Sequence, residues 1–293
     1  MTIDYVVPMV FPLDKEWRIS LFNARSSDLP EFYYPENYVR YRSWETEELL
    51  IRLVKKNMPW LRNIYIILAM ESQVQDWMGE LGVRVVFHKD FIPEDFLPTF
   101  NSRAIEMFLK DIPDLSEYFL YGNDDMFPLS PLREEDFFVD GLPCLRFTEK
   151  IFPVWPNQFQ RACLCGMNFV AKEFGKEFHD KWYKNGHSIV PMLKSTCEHL
   201  WERADEIRGS VTPFRTEKNF NQYIYSWWHF FSGKYIDKAP DRRYVGVKKT
   251  VEEVVAAIRD GGIVCVNDNE CETDYMRYGI AVKEALSERL HDD

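Results

Sequence analysis

Residues 118–125 read Tyr118-Phe119-Leu120-Tyr121-Gly122-Asn123-Asp124-Asp125. Four aromatic and aliphatic residues run into a glycine and then into three side chains that carry oxygen. This is the pattern of a short buried strand whose carboxyl end opens into a polar loop. Working outward, Asp4–Val10, Ile64–Leu68 and Val83–Phe87 read as three more apolar strands. The segments between them are helical. Glu47–Lys56 has apolar residues at 49, 50, 53 and 54 and stops at Met58-Pro59, Val74–Leu81 stops at Gly82, and Asn101–Lys110 starts on two capping residues, Asn101 and Ser102. Alternating strands and short helices predict βαβ units and a largely parallel sheet. Ligands of such sheets sit beyond the carboxyl ends of the strands, which is where residues 123–125 fall.

The pattern changes at Pro128. Residues 128–169 read as strands and loops rich in aromatics and prolines, and Glu173–Tyr183, Leu193–Ile207 and Asn219–Phe231 as three helices. Tyr244–Val247, Val251–Arg259, Ile263–Val266 and a helix from about Thr273 to Leu290 return to β-α-β-α. The expected fold class is α/β: a Rossmann-like, mostly parallel sheet with a helical insertion. Residues 1–127 would form the N-terminal half of the core and 128–242 the insertion. Residues 243–293 would complete the core, with a last strand that rejoins the sheet. The polar, proline-containing stretch from Ser26 to Arg42 reads as a connection.

The chain has 293 residues, with 36 Lys+Arg against 47 Asp+Glu and a formal charge of −11. Its basic residues form no long run, which argues against nucleic-acid binding and against attachment to an anionic membrane by charge alone. The N-terminus lacks a basic region ahead of its apolar run, and Pro8 and Pro12 break that run, so it does not read as a signal peptide. The run Ile64–Met70 is far shorter than the ~20 residues that span a bilayer. A cytoplasmic protein with at most peripheral membrane contact is expected. Six cysteines (144, 163, 165, 197, 265, 271) then read as free thiols. Cys163-x-Cys165 near His179, His187 and His199 does not match the usual C-x2-C zinc pair.

Two adjacent carboxylates, Asp124 and Asp125, repel each other unless a divalent cation sits beside them. Mg²⁺ uses such hard oxygen ligands together with substrate phosphates. The other reading of Asn123-Asp124-Asp125 is a solvated turn. Ile263-Val264-Cys265-Val266-Asn267-Asp268 repeats the motif, an apolar strand ending in Asn-Asp. If both strands lie in one parallel sheet, the two clusters share an edge suited to a metal-bound pyrophosphate. Asn101 and Ser102 at a helix start suit an anion, and Glu106 lies on the same helical face as Ser102. Simple capping with a solvated glutamate is the alternative. His187 alone reads as a loop histidine and Arg215 alone as a surface arginine. The aromatic stripe Trp227, Trp228, Phe230 and Phe231 reads as helix core.

These segments resemble the Stealth family of sugar-phosphate transferases. The resemblance is carried by Met58-Pro59-Trp60-Leu61-Arg62-Asn63-Ile64-Tyr65-Ile66, Phe87-His88-Lys89-Asp90, Leu97-Pro98-Thr99-Phe100-Asn101-Ser102-Arg103-Ala104-Ile105-Glu106 and Tyr118 to Phe127. Ile3-Asp4-Tyr5-Val6-Val7-Pro8 with Asp14-Lys15-Glu16-Trp17 is similar to the family's first block. His187, Pro191, Lys194 and Pro213-Phe214-Arg215 are similar to its third, and Val264-Cys265-Val266-Asn267-Asp268 to its fourth. The chain departs from the family at Met9-Val10-Phe11-Pro12, where Trp-Val-Asp/Asn-Gly is usual. It also departs at Pro191, which lies four residues after His187 rather than two.

The resemblance implies a GT-A-like fold and transfer of a hexose-1-phosphate, such as GlcNAc-1-phosphate, from a UDP-sugar to a sugar hydroxyl in capsule or exopolysaccharide synthesis. The partners would be a nucleotide-sugar donor and a glycan acceptor, free or lipid-linked, with Mg²⁺ or Mn²⁺ as cofactor. Asp124, Asp125 and Asp268 would hold the metal. Asp124, Asp125, His187 and Arg215 would be catalytic, and Asp4, Asn101, Ser102, Glu106, Asn123 and Asn267 would bind substrate. Two other readings remain at this point: a glycosyltransferase on the same fold that releases UDP, and a non-catalytic glycan- or nucleotide-binding protein.

Overall fold

The computed structural model describes residues 1–26, 41–246, 249–267 and 275–291. Asp268, Val247, the helix start expected near Thr273 and most of the Ser26–Arg42 connection lie outside the described residues.

A five-stranded sheet holds β1 (Ile3–Pro8), β2 (Ile64–Leu68), β3 (Arg84–Phe87) and β4 (Tyr118–Tyr121), all mutually parallel. Strands of this kind, covered by helices on both faces, read as nearly unbroken apolar runs, as β1 and β2 do. Alternation sorts their side chains to two cores. Ile3, Tyr5 and Val7 with Ile64, Ile66 and Leu68 face one apolar cluster. Val6 with Tyr65, Ile67, Phe119 and Tyr121 faces the other.

The first core is closed by the helix Glu47–Asn57 and by the end of the chain. The short β5 (Met126–Pro128) follows β4. After it come β6 (Phe138–Val139), β7 (Leu142–Leu145), β8 (Phe147–Ile151), β9 (Lys181–Asn185), β10 (Val190–Leu193), β11 (Ile236–Asp237), β12 (Arg242–Gly246) and β13 (Ile263–Asn267). The order β12-β13-β5 forms a separate three-stranded sheet, with β12 parallel and β5 antiparallel to β13. The expectation that the last strand rejoins the sheet of β4 is therefore corrected. It pairs instead with the strand that leaves the Asn-Asp-Asp loop, while Val264, Val266 and Leu286 still pack into the first core.

The second core is covered by the insertion, which also departs from expectation. Glu173–Tyr183 is not a helix. A single turn at Lys172–Phe174 ends at Gly175, which takes a left-handed φ of 66° open to glycine, and the chain then extends into β9. The first helix of the insertion is Gln158–Ala171, which falls mostly within the segment 128–169 read as strand and loop. Asn157 and Gln160 cap it reciprocally, side chain to backbone in both directions. The expected helix Leu193–Ile207 is split: Leu193 ends β10, an antiparallel edge strand beside β4, and helices Lys194–Leu200 and Ala204–Ser210 follow. The helix Tyr223–Ser232 buries Tyr223, Ile224, Tyr225 and Trp227; of the expected core stripe only Trp227 is buried, while Trp228, Phe230 and Phe231 are half-buried and Trp228 and Phe231 pack against the edge of the second core. No described helix is long and apolar enough to cross a membrane.

Candidate active site

The site is built where β4 ends. Gly122 donates its amide to Val6 O at 3.0 Å, which holds the chain against β1 as it turns. A Cβ on Gly122 would collide with the Tyr5 hydroxyl, so a side chain is excluded here by close approach rather than by backbone angle. Asn123 O then accepts the amide of Met126 at 3.1 Å, which closes the loop that carries Asp124 and Asp125.

Asp125 meets Asn267, the described residue of the second Asn-Asp pair, although their strands belong to different sheets. Val266 N donates to Asp125 O at 2.9 Å, locking the loop onto β13. The Asp125 carboxylate lies beside side chains of that strand: Oδ2 accepts from Cys265 Sγ at 3.3 Å and from Asn267 Nδ2 at 3.4 Å. Its Oδ1 is buried and has no hydrogen-bond partner among the described residues. The hydroxyl of Tyr5 is in the same position, and burial together with the charges of Asp124 and Asp125 pushes its pKa far up.

His187 enters from the connection between β9 and β10. A ring nitrogen of His187, a carboxylate oxygen of Asp125 and Cys265 Sγ all lie within 4.8 Å of one another. Tyr223 Oη meets His187 Nδ1 at 3.3 Å and fixes the ring. Burial holds the His187 pKa below its usual value. The negative charge of Asp125 opposes this, and the positive charges of Lys184 and Arg215 reinforce it. A neutral imidazole is thus the resting form at neutral pH.

Arg215 completes the rim. Its Nη2 donates to Ser102 Oγ at 2.6 Å, and its main-chain O accepts from Gln158 Nε2 at 3.1 Å. Glu106 lies fully buried beneath. It accepts from the Tyr121 hydroxyl at 3.2 Å through Oε1 and from Gln222 N at 2.7 Å through Oε2. Burial raises the Glu106 pKa, while the Gln222 amide and the charges of Arg215 and Arg103 pull it back. These partners make Glu106 a buried support beside Arg215 and β4.

Two other expected substrate residues are engaged by protein groups. Asn101 is fully buried, and all its polar atoms face protein. Nδ2 reaches Thr212 O at 3.0 Å, Phe214 O at 3.3 Å and Asn219 Oδ1 at 3.1 Å, and Oδ1 accepts from Arg103 N at 3.1 Å. It straps the loop that presents Arg215. Asp4 sits near the amino end of β1, opposite the end at which the site forms. There it pairs with Arg62 Nε at 2.9 Å and Ser116 N at 2.8 Å. Asp268 lies outside the described residues.

Sequence reasoning passed over Tyr5, Cys265 and Tyr223. Cys265 reads in the sequence as a free thiol within an apolar strand of the fourth matched block, and no spacing in the chain links it to His187 or Asp125. The close packing of Tyr5 under Gly122 leaves no trace in sequence beyond the glycine itself.

Residues 40–144 match the family described as Stealth protein CR2, conserved region 2. The chain is 30% identical over 261 residues to the capsular polysaccharide phosphotransferase cps1A of Actinobacillus pleuropneumoniae, covering 84% of this chain and 70% of that one. The chain belongs to the Stealth family of sugar-phosphate transferases. It is also 28% identical over 307 residues to the capsular polysaccharide phosphotransferase WcwK of Streptococcus pneumoniae, covering 92% of this chain and 90% of the relative. To the receptor polysaccharide phosphotransferase WefC of Streptococcus oralis it is 27% identical over 267 residues, 80% of this chain and 79% of the relative. The matched Stealth segment contains Gly122, Asp124 and Asp125, and so the loop around which the site is built.

Proposed function

We propose that this Stealth protein transfers a hexose-1-phosphate, such as GlcNAc-1-phosphate, from a UDP-sugar to a sugar hydroxyl during capsule or exopolysaccharide synthesis, on a GT-A-like scaffold. The observation that carries the reading is the convergence of Asp125 and His187 within 4.8 Å at the end of β4. Arg215 adds its positive charge there, close enough to depress the His187 pKa.

The acceptor oxygen attacks the phosphorus that bears the sugar. The bond from that phosphorus to the bridging oxygen breaks, and UMP departs with that oxygen. Such transfers depend on alignment and charge neutralisation more than on covalent chemistry by the protein. Neutral His187 accepts the proton of the acceptor hydroxyl, with Tyr223 holding the ring in line. Arg215, oriented by Ser102, offers its planar fork to the oxygens of the transferred phosphate. Asn267 and Asn123 stand at the loop ends, where their amides can orient oxygens.

The unpartnered Oδ1 of Asp125 and the adjacent carboxylate of Asp124 provide hard oxygen donors that suit Mg²⁺ or Mn²⁺. When bound there, such an ion supplies neutralising charge to the pyrophosphate. The acceptor glycan, free or lipid-linked, would be reached at the cytoplasmic face of the membrane.

The deciding assay identifies the nucleotide product formed from a UDP-sugar and an acceptor glycan. UMP is expected, and UDP would replace the reading with simple glycosyl transfer. Asp124→Ala and Asp125→Ala should each abolish turnover while the circular dichroism spectrum is unchanged. Wild-type rates in either variant would remove the site assignment.

A further inference from the structure

We propose that Asp125, His187 and Cys265 form a binding site for a borderline-soft divalent cation of the zinc class, and that occupancy of this site inhibits the enzyme. The binding claim stands on the side-chain cluster itself, and the inhibitory consequence rests on the function proposed above.

The donor set is one carboxylate oxygen, one imidazole nitrogen and one thiol sulfur, all within 4.8 Å of each other. Around a single zinc ion, bond lengths of about 2.0–2.3 Å place neighbouring donor atoms roughly 3–4 Å apart. Small side-chain rotations therefore suffice to close the cluster on an ion. Mg²⁺ prefers oxygen ligands and leaves a thiol unused, whereas Zn²⁺ and Co²⁺ take sulfur and nitrogen readily. The carboxylate has an oxygen to offer, since Asp125 Oδ1 is buried without a hydrogen-bond partner among the described residues.

The three donors are also held in place from three directions. Cys265 is 1% exposed within β13, and the Val266 N to Asp125 O bond at 2.9 Å fixes the aspartate loop to that same strand. The Tyr223 hydroxyl at 3.3 Å orients the His187 ring, as outer hydrogen bonds commonly orient metal-binding imidazoles. Three protein donors leave a fourth position for water or a phosphate oxygen, the arrangement of an open rather than a purely structural zinc site.

Binding converts the Cys265 thiol to a thiolate, and its proton leaves to solvent. Zinc in this position takes the His187 nitrogen that would accept the acceptor proton and competes with magnesium for Asp125. Zinc should therefore lower turnover, and excess Mg²⁺ should oppose this effect.

The test is a titration of the full chain with Co²⁺ followed by absorption spectroscopy, then displacement with Zn²⁺. One equivalent of Co²⁺ should give tetrahedral visible bands and a sulfur-to-cobalt charge-transfer band. Cys265→Ser should remove the charge-transfer band and weaken Zn²⁺ binding at least ~10-fold, since even outer-sphere changes at metal sites cost that much. Cys165→Ser, which removes an exposed thiol elsewhere, should leave the band intact. His187→Gln should weaken binding without removing the band. If the wild-type protein gives no charge-transfer band, or if Cys265→Ser keeps it, there is no such site. A band that survives in the presence of full activity would refute inhibition while leaving the binding claim intact. UMP or UDP as product bears only on the proposed function.

Discussion

Arg215 Nη2 donates to Ser102 Oγ at 2.6 Å, which ties the loop after Pro213 to the first residue of the helix Ser102–Met107. The same loop is bound on its other side by Asn101, and Phe100 stacks on Phe214 with ring centroids 5.6 Å apart and planes 12° from parallel. The guanidinium is thus presented by a braced loop rather than by a free surface side chain.

Arg215→Lys keeps a positive charge but loses the planar fork. Turnover should fall about 10²-fold, the usual scale for removing one oriented donor from a developing anion. Ser102→Ala should cost less, because the arginine keeps its charge and loses only an orienting contact. Initial rates of nucleotide release, with circular dichroism as the folding control, check both. An Arg215→Lys variant at wild-type rate would place the phosphate elsewhere.

The pH profile should follow His187. Its pKa is depressed by burial and by the positive charges of Lys184 and Arg215, against the pull of Asp125. A general base must be deprotonated, so kcat/KM should fall as pH drops through a value below the usual 6.5 of histidine and be level through neutrality. His187→Gln should lose about 10²- to 10⁴-fold in rate and with it the acidic limb of the profile. An acidic limb that persists in this variant would belong to another group.

Stability should have its own dependence on pH. His88 and His229 are buried, and desolvation pushes each pKa down to about 4; at His229 the hydrogen bond that Nδ1–H donates to Lys234 O at 2.9 Å partly opposes this. Between pH 6.5 and 4 the unfolded chain takes up protons at these positions and the folded chain does not. The fold therefore weakens as pH falls through that window, by up to about 3 kcal/mol per histidine. Urea midpoints measured from pH 7 to pH 4.5 should decline, and His88→Leu should flatten part of the decline.

How much of this was legible in sequence depended on the range of the interaction. β4 and its Asn-Asp-Asp loop could be read because the apolar run, the glycine and the polar loop are contiguous. The parallel sheet followed from strand and helix alternation for the same reason. The helix Gln158–Ala171 was missed although its cap, Asn157 with Gln160, is local, because the preceding Pro153 and Pro156 and the dense aromatics pointed to loop. The pairing of β13 with β5 is decided by packing of the terminal helices on the first core, which no local pattern encodes. The same holds for the functional residues. Asp125 stands out by its neighbours, while Cys265 and Tyr223 matter only through long-range contacts. Asp4 could not be placed from sequence, because a carboxylate in a matched block looks the same whether it meets a ligand or Arg62.

That last pair predicts a separation of stability from activity. Asp4 is fully buried, and although burial pushes its pKa up, the bonds from Arg62 and Ser116 outweigh this and leave it below the usual 3.8. Removing Arg62 strands a buried carboxylate. The Arg62 side chain is 40% exposed, so solvent replaces part of the lost contact, and Arg62→Ala should cost about 2 kcal/mol rather than the 3–5 typical of a fully buried pair. The stabilisation is present above the ordinary carboxylate pKa and is lost as pH falls through the lowered one. Below the melting transition the variant should turn over at close to the wild-type rate. A large loss of kcat with an unchanged urea midpoint would put Asp4 in contact with substrate.

The contact between Gly122 and Tyr5 makes a paired prediction. Gly122→Ala places a methyl group against the Tyr5 hydroxyl, and the loop that carries Asp124 and Asp125 must shift to relieve it. Overpacking of this kind costs about 1–3 kcal/mol, and here the displaced atoms include the site itself, so turnover should fall as well. Tyr5→Phe removes a buried hydroxyl that has no hydrogen-bond partner among the described residues, so this change alone should be neutral or mildly stabilising. Combined with Gly122→Ala, it should restore part of both stability and turnover, because it removes the atom the methyl group meets. The double-mutant cycle over urea midpoints and initial rates measures this coupling. Strict additivity of the two changes would mean that Gly122 is required for its backbone and not for the space Tyr5 occupies.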